Sequence, residues 1–225
     1  MRRRTFLTAT SLGAASLVSP PRTLAQATQA TAPDSRDLPR YAQDAWFDKV
    51  PGKHRLFLDA TEIAEAAAAL GFGWNFLRTS QSGYNLKDAD QAVIICLRHN
   101  ATDVAFSNEV WQKYDVLRNQ KYEHPATGRK VKGGNLFRPG STRPKSNPDS
   151  FTFDGLARRG VHFAICGVAT RGLAGMIAGA KASHDDVEAV MDELVKSLPA
   201  NAHVTASGIL AAQRAGEYGY TVLRA

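Results

Sequence analysis

The run QAVIICL, residues 91–97, is apolar nearly throughout, the pattern of a β-strand covered on both faces. Such a strand demands a layer of structure above the sheet and another below it. The segments around it supply both. HRLFLDA, residues 54–60, reads as a short strand, and after Thr61, Glu62 and Ile63 the Ala-rich AEAAAALGFGWNFLRTS continues as a helix. In VAFSNEVWQKYDVLRN, Val104, Val110, Trp111, Tyr114 and Leu117 lie near helical spacing and predict a second, amphipathic helix. Residues 153–159 look like a short helix stopped by Gly160, VHFAIC like a strand, and GVATRGLAGMIAGA like a turn and helix. Residues 185–198 read as another helix, with Asp185 and Asp186 in its first turn and Lys196 in its last, as the helix dipole favours. AHVTASG, ILAAQRAGEYG and YTVLRA then follow as strand, helix and strand. The alternation predicts an α/β three-layer sandwich with about five mainly parallel strands.

The beginning of the chain follows other rules. MRRRTFLTATSLGAASLVSPPRTLAQA has a basic start, a modestly apolar middle and then Ala25-Gln26-Ala27, the small-x-small pattern of a cleavage site. It predicts an export signal over residues 1–27, cut after Ala27. Within it, Arg3-Arg4-Thr5-Phe6-Leu7 resembles the twin-arginine motif, and Arg22 resembles the basic residue that disfavours the general secretory route. The expected location is therefore the periplasm, reached already folded with the twin-arginine translocase as a partner. The apolar middle falls short of the ~20 residues that cross a bilayer, so no permanent membrane anchor is expected. Cleavage removes four arginines and no acid, which lowers the formal charge from +7 to +3. The basic balance belongs largely to the signal, and nucleic acid is not an expected partner.

Residues 28–50 read as a flexible leader that becomes ordered near residues 41–47, and residues 51–225 as one α/β domain. Residues 121–150 are dense in Gly, Pro, Asn and basic residues and read as a long loop insertion, a lid or a subunit contact.

In parallel α/β sheets, sites lie outside the carboxyl ends of the strands where the strand order reverses. The strand ends here deliver Asp59 and Thr61, Arg98 and His99, Cys166 and Gly167, and Ser207 and Gly208. Cys166 sits between a strand and the helix that follows it, near unpaired N–H groups and the positive end of a helix dipole. Three readings of it stand side by side: a core thiol, half of a disulfide with Cys96, or a nucleophile supported by Arg171. His99 could orient or deprotonate the thiol if the two strand ends are adjacent, or could be a surface capping residue. Cys96, inside the apolar run, is most simply a packed core thiol, and two free thiols are expected.

GVHFAICGVATRG, residues 160–172, resembles the cysteine segment of the DsrE/TusD-like sulfur-carrier family, in which a reactive cysteine ends a strand and precedes a helix carrying Arg-Gly. SGILAAQRAGEYGYTVLRA is similar to that family's last helix and strand. The resemblance implies a DsrE-like, flavodoxin-like doubly wound fold, homo-oligomers, and a cysteine at position 166 that accepts and passes on sulfur as a persulfide. Its partners would be a small sulfur compound or a protein thiol. The export signal, the basic insertion and His99 depart from the family's cytoplasmic relay members. The alternative is a non-catalytic periplasmic protein that binds a small ligand or assembles through the same fold.

No cofactor and no metal is expected. The six histidines, His54, His99, His124, His162, His184 and His203, show no close pairing, and no Cys-x-x-Cys is present. GRKVKGGN lacks the full phosphate-loop pattern, and a Gly-x-Ser-x-Gly elbow is missing.

Overall fold

The five strands β1 (His54–Ala60), β2 (Gln91–Leu97), β3 (His162–Cys166), β4 (Ala202–Thr205) and β5 (Thr221–Arg224) form one sheet in the order β4-β3-β2-β1-β5, every neighbouring pair parallel. The computed structural model describes residues 39–116, 135, 137, 138 and 151–225. The chain divides into two units, Met1–Ala32 and Pro33–Ala225, and the described residues belong to the second. Residues 1–27, where an export signal is expected, and most of the 121–150 segment lie outside them. Among the described residues no helix is long and apolar enough to cross a membrane.

Among the described residues seven α-helices accompany the strands: α1 (Trp46–Lys49), α2 (Ile63–Tyr84), α3 (Asn108–Tyr114), α4 (Phe153–Arg158), α5 (Gly167–Ala178), α6 (His184–Lys196) and α7 (Gly208–Glu217). Alternate residues of β1, β2 and β3 feed two separate cores, as the two-residue period requires. On one face Leu56, Leu58, Val93, Ile95, Leu97, Phe163 and Ile165 pack beneath α2 to α6. On the other, Phe57, Ala92, Ile94, Cys96 and Ala164 pack against α7 and against Phe47 and Val50. QAVIICL is buried at all seven positions, which is why it carries no alternation.

One detail adds to the sequence-based expectation and one differs from it. The order expected near residues 41–47 is tied into the core, because Phe47 and Val50 are buried on the α7 side and Tyr220 Oη donates to the Phe47 carbonyl at 3.0 Å. The second amphipathic helix is shorter than its spacing suggests. His99–Ala105 is a 3-10 helix that contains Val104, and α3 begins anew where the Ser107 hydroxyl accepts from Val110 N–H. Leu117 lies outside the described residues. A further anchor falls inside the insertion: Asn135 Nδ2 donates to the carbonyls of Val104 (2.6 Å) and Phe106 (2.7 Å), and Phe137 is fully buried.

Candidate functional site

The helices after β1, β2 and β3 all pack on one face, whereas α7, after β4, packs on the other. Adjacent strands β3 and β4 therefore send their chains to opposite sides of the sheet. The carboxyl ends of such a strand pair are the place where α/β folds bind ligands. Cys166 ends one of these strands and Thr205, its register partner, the other.

Cys166 is buried, and its Sγ caps α5 by accepting from Ala169 N–H at 3.4 Å. Thr170 Oγ1 donates to the Cys166 carbonyl at 2.9 Å and fixes the turn from strand to helix. After β4 the Ser207 hydroxyl caps α7, accepting from Leu210 N–H at 3.3 Å. The starts of α5 and α7 thus follow the carboxyl ends of two paired strands.

Arg98, at the end of β2, makes a bidentate pair with Asp59, Nε to Oδ1 and Nη2 to Oδ2 both at 2.8 Å. The guanidinium keeps a quarter of its side chain exposed, and both thiols act on its charge. Its aliphatic stem lies under Gly208, where a side chain would meet Arg98 Cβ at 2.5 Å. Gly167 is pressed in the same way, 2.5 Å from the Thr205 carbonyl oxygen. Arg98, Cys166, Gly167, Ser207 and Gly208 are thus brought to one end of the sheet.

His99 and Arg171 are employed elsewhere. The His99 ring is exposed, with Nδ1 3.4 Å from Glu62 Oε1 at the start of α2, so its ion-pair partner belongs to the β1–α2 corner. Arg171, expected beside a Cys166 thiolate, instead pairs with Glu188 on α6, because one helical turn along α5 carries it to the solvent side. Thr61 donates to Glu65, whose carboxyl is held down to about 2 by that hydroxyl and by the Thr61 amide, with Arg224 adding to the effect.

Cys96 and Cys166 point to the same face of the sheet, and both are free thiols. Cys96 aligns with Ala164, so the two cysteines are diagonal neighbours. Diagonal Cα atoms stand ~7–8 Å apart, beyond the range that a disulfide spans without backbone movement. The Cys96 thiol is fully buried, 3.7 Å from the Gly208 carbonyl. Burial, aided by the charge of Asp59, pushes it well above the usual thiol range. Cys96 is expected to resist iodoacetamide at pH 8 until the protein is unfolded, while Cys166 is alkylated first; peptide mass mapping over time checks the order.

Sequence reasoning missed the two histidines that share the Cys166 face. His162 Nδ1 and His203 Nε2 lie 2.9 Å apart with stacked rings, and Trp46 stacks on His203 at 4.1 Å. The available signal was parity, since His162 precedes Cys166 by four residues on one strand. The column ends at a cleft of about 340 Å³ whose lining includes Gln43, Asp44, Trp46, Thr205, Ser207 and Leu210. Among the described residues no cluster of three His, Cys, Asp or Glu could hold a metal ion. No protein-family model, curated protein or solved structure matches this chain.

Proposed function

We propose that Cys166 takes up sulfane sulfur and passes it on as a persulfide, in a periplasmic, DsrE-like homo-oligomer exported by the twin-arginine route. The observation that carries this reading is the thiol's position: Cys166 ends β3, its Sγ receives an N–H from α5, and it lies close enough to Arg98 to act on that residue's charge. A donor aimed at sulfur suits both a thiolate and the terminal sulfur of a persulfide, and the nucleophile in such chemistry is the thiolate. Arg98 stands near as the cation for an oxyanion donor.

With thiosulfate the step balances simply. The Cys166 thiolate attacks the outer sulfur, a new S–S bond forms, the old one breaks, and sulfite leaves with its electron pair. A second thiolate then attacks the terminal sulfur of the persulfide and restores the Cys166 thiolate. No oxidant is required, because the transferred sulfur arrives already at the sulfane level. Arg98 and the start of α7 would hold the anion, and Gly208 leaves room for both.

Treatment with polysulfide or thiosulfate, followed by peptide mass spectrometry, tests the reading. One added sulfur on the Cys166 peptide is expected, removed by reductant, retained in Cys96→Ser and absent in Cys166→Ser. An unchanged Cys166 beside a reactive control thiol would overturn it. The cleft supports a second reading, a non-catalytic small-ligand site, under which Cys166→Ser leaves folding, oligomer size and phenotype intact.

A further inference from the structure

We infer that residues 42–50 are an acid-released clasp, held over the β3–β4 edge by the stacked Trp46–His203–His162 column and opened when both imidazoles carry a proton.

The segment contains a 3-10 helix (Ala42–Asp44) and the four residues of α1, neither of which is stable by its own hydrogen bonds. Its hold on the domain comes from side chains. Phe47 and Val50 are buried, and Trp46 lies nearly parallel to the His203 ring, 10° between planes. His203 in turn meets His162 through a single N···N hydrogen bond of 2.9 Å.

That bond sets the switch. Between two neutral rings one nitrogen donates and the other accepts, and a first added proton leaves this donor–acceptor pattern intact. Trp46 also tolerates one imidazolium against its π face. A second proton removes the last acceptor and places two cations at hydrogen-bond distance in a half-buried site. Burial holds both histidines below the ordinary histidine range, and the charge of His162 further depresses His203, to about 4. The pair titrates as a unit, so opening belongs to its second, more acidic step.

The other charges at the clasp do not act on the histidine pair. On α7, Arg214 pairs with Glu217 and lies 3.6 Å from Asp44 of the clasp; on β1, Arg55 donates to the carbonyls of Phe47 and Tyr218. Asp48 and Lys49 are exposed on α1. None of them acts on His203, whose charged neighbour is His162.

The sign of the effect is fixed. Both histidines bind protons less readily in the folded protein than in the unfolded chain, so the column's contribution is fully present above about pH 6.5 and is lost as pH falls toward 4. Release moves Gln43, Asp44 and Trp46, which are one wall of the cleft, away from Thr205, the register partner of Cys166. Acid therefore opens the cleft beside the carboxyl end of β4. This holds whatever chemistry Cys166 performs.

The test is ¹⁹F NMR of the full chain labelled with 5-fluorotryptophan, the Trp46 signal being assigned by its loss in Trp46→Phe. Between pH 7 and pH 3.5 the Trp46 signal is expected to move to the solvent-exposed position while those of Trp74 and Trp111 stay. The transition should vanish in His203→Gln and persist in Asp44→Asn. Movement of all three signals together would mean global unfolding and would overturn the clasp, as would a transition that survives in His203→Gln or disappears in Asp44→Asn. His162→Gln provides a second check, and its Trp46 signal should likewise stay fixed.

Discussion

Phe47→Ala is expected to lower the free energy of unfolding by about 3–5 kcal/mol, as measured by urea denaturation at pH 7.5. The residue belongs to a stretch that reads as a leader, yet its side chain has no exposure at all. Its ring contacts those of Trp46 at 4.0 Å, Tyr218 at 5.1 Å and Tyr220 at 5.9 Å. Its carbonyl accepts from Tyr220 Oη and Arg55 Nη1. Burial pushes the Tyr220 phenol up to about 12, so it remains a donor across the physiological range. Truncation to alanine leaves a cavity under a segment with too little regular structure to close it. The loss includes both the transfer of the ring and the void. Tyr41→Ala, at an exposed ring six residues earlier, should cost under about 1 kcal/mol by comparison. A small effect at Phe47 would mean that residues 42–50 merely lie on the surface, and the clasp would lose its anchor.

The sheet was the legible part of this chain. QAVIICL, HRLFLDA and VHFAIC announce themselves because a parallel strand buried on both faces has no polar alternation to confuse with a helix. Strand order was not legible, since the placement of β5 beside β1 is a long-range pairing that leaves no local mark. Order near residues 41–47 was expected, but not its place in the core, for a related reason: the two core residues Phe47 and Val50 stand three apart among polar neighbours, too few to show a period. The Val104 spacing failed because Ser107 offers a local cap that outcompetes continuation of one helix. At the site, strand-end logic placed Cys166, Arg98, Ser207 and Gly208 together. It could not foresee that Arg171 faces Glu188 across α5 and α6, or that His99 turns with a positive φ of 54° toward Glu62. Partner choice among exposed charges depends on which helices become neighbours. The His162–His203 pair was hidden for the same cause, being 41 residues apart and joined only by the β3–β4 register.

Gly167→Ala and Gly208→Ala are each expected to destabilise the protein by about 1–3 kcal/mol, although helix propensity alone argues the other way. In a helix, alanine is favoured over glycine by about 1 kcal/mol. At Gly172, Gly175 and Gly216 a methyl group would meet nothing within 4 Å, and there propensity should prevail. At Gly208 the same methyl would stand 2.5 Å from Arg98 Cβ and 2.9 Å from its Cδ. Arg98 cannot step aside, because its backbone N–H is bonded to the Ala60 carbonyl and its guanidinium is locked on Asp59 by two hydrogen bonds. At Gly167 the obstacle is the Thr205 carbonyl oxygen, part of the backbone of β4. The clash therefore outweighs the propensity at both sites. Neither glycine is required by an unusual φ; each is required by the close approach of a neighbouring strand end. Gly172→Ala serves as the control, expected to be neutral or stabilising by up to about 1 kcal/mol in the same thermal or urea measurement. Because Gly208 seats Arg98, its alanine variant should also slow the proposed sulfur uptake at Cys166 relative to the Gly172→Ala control, a comparison made at a temperature where every variant is fully folded. Equal rates in Gly208→Ala and the control, with Arg98 displaced, would separate the guanidinium from the thiol's chemistry and leave the glycine a packing role only.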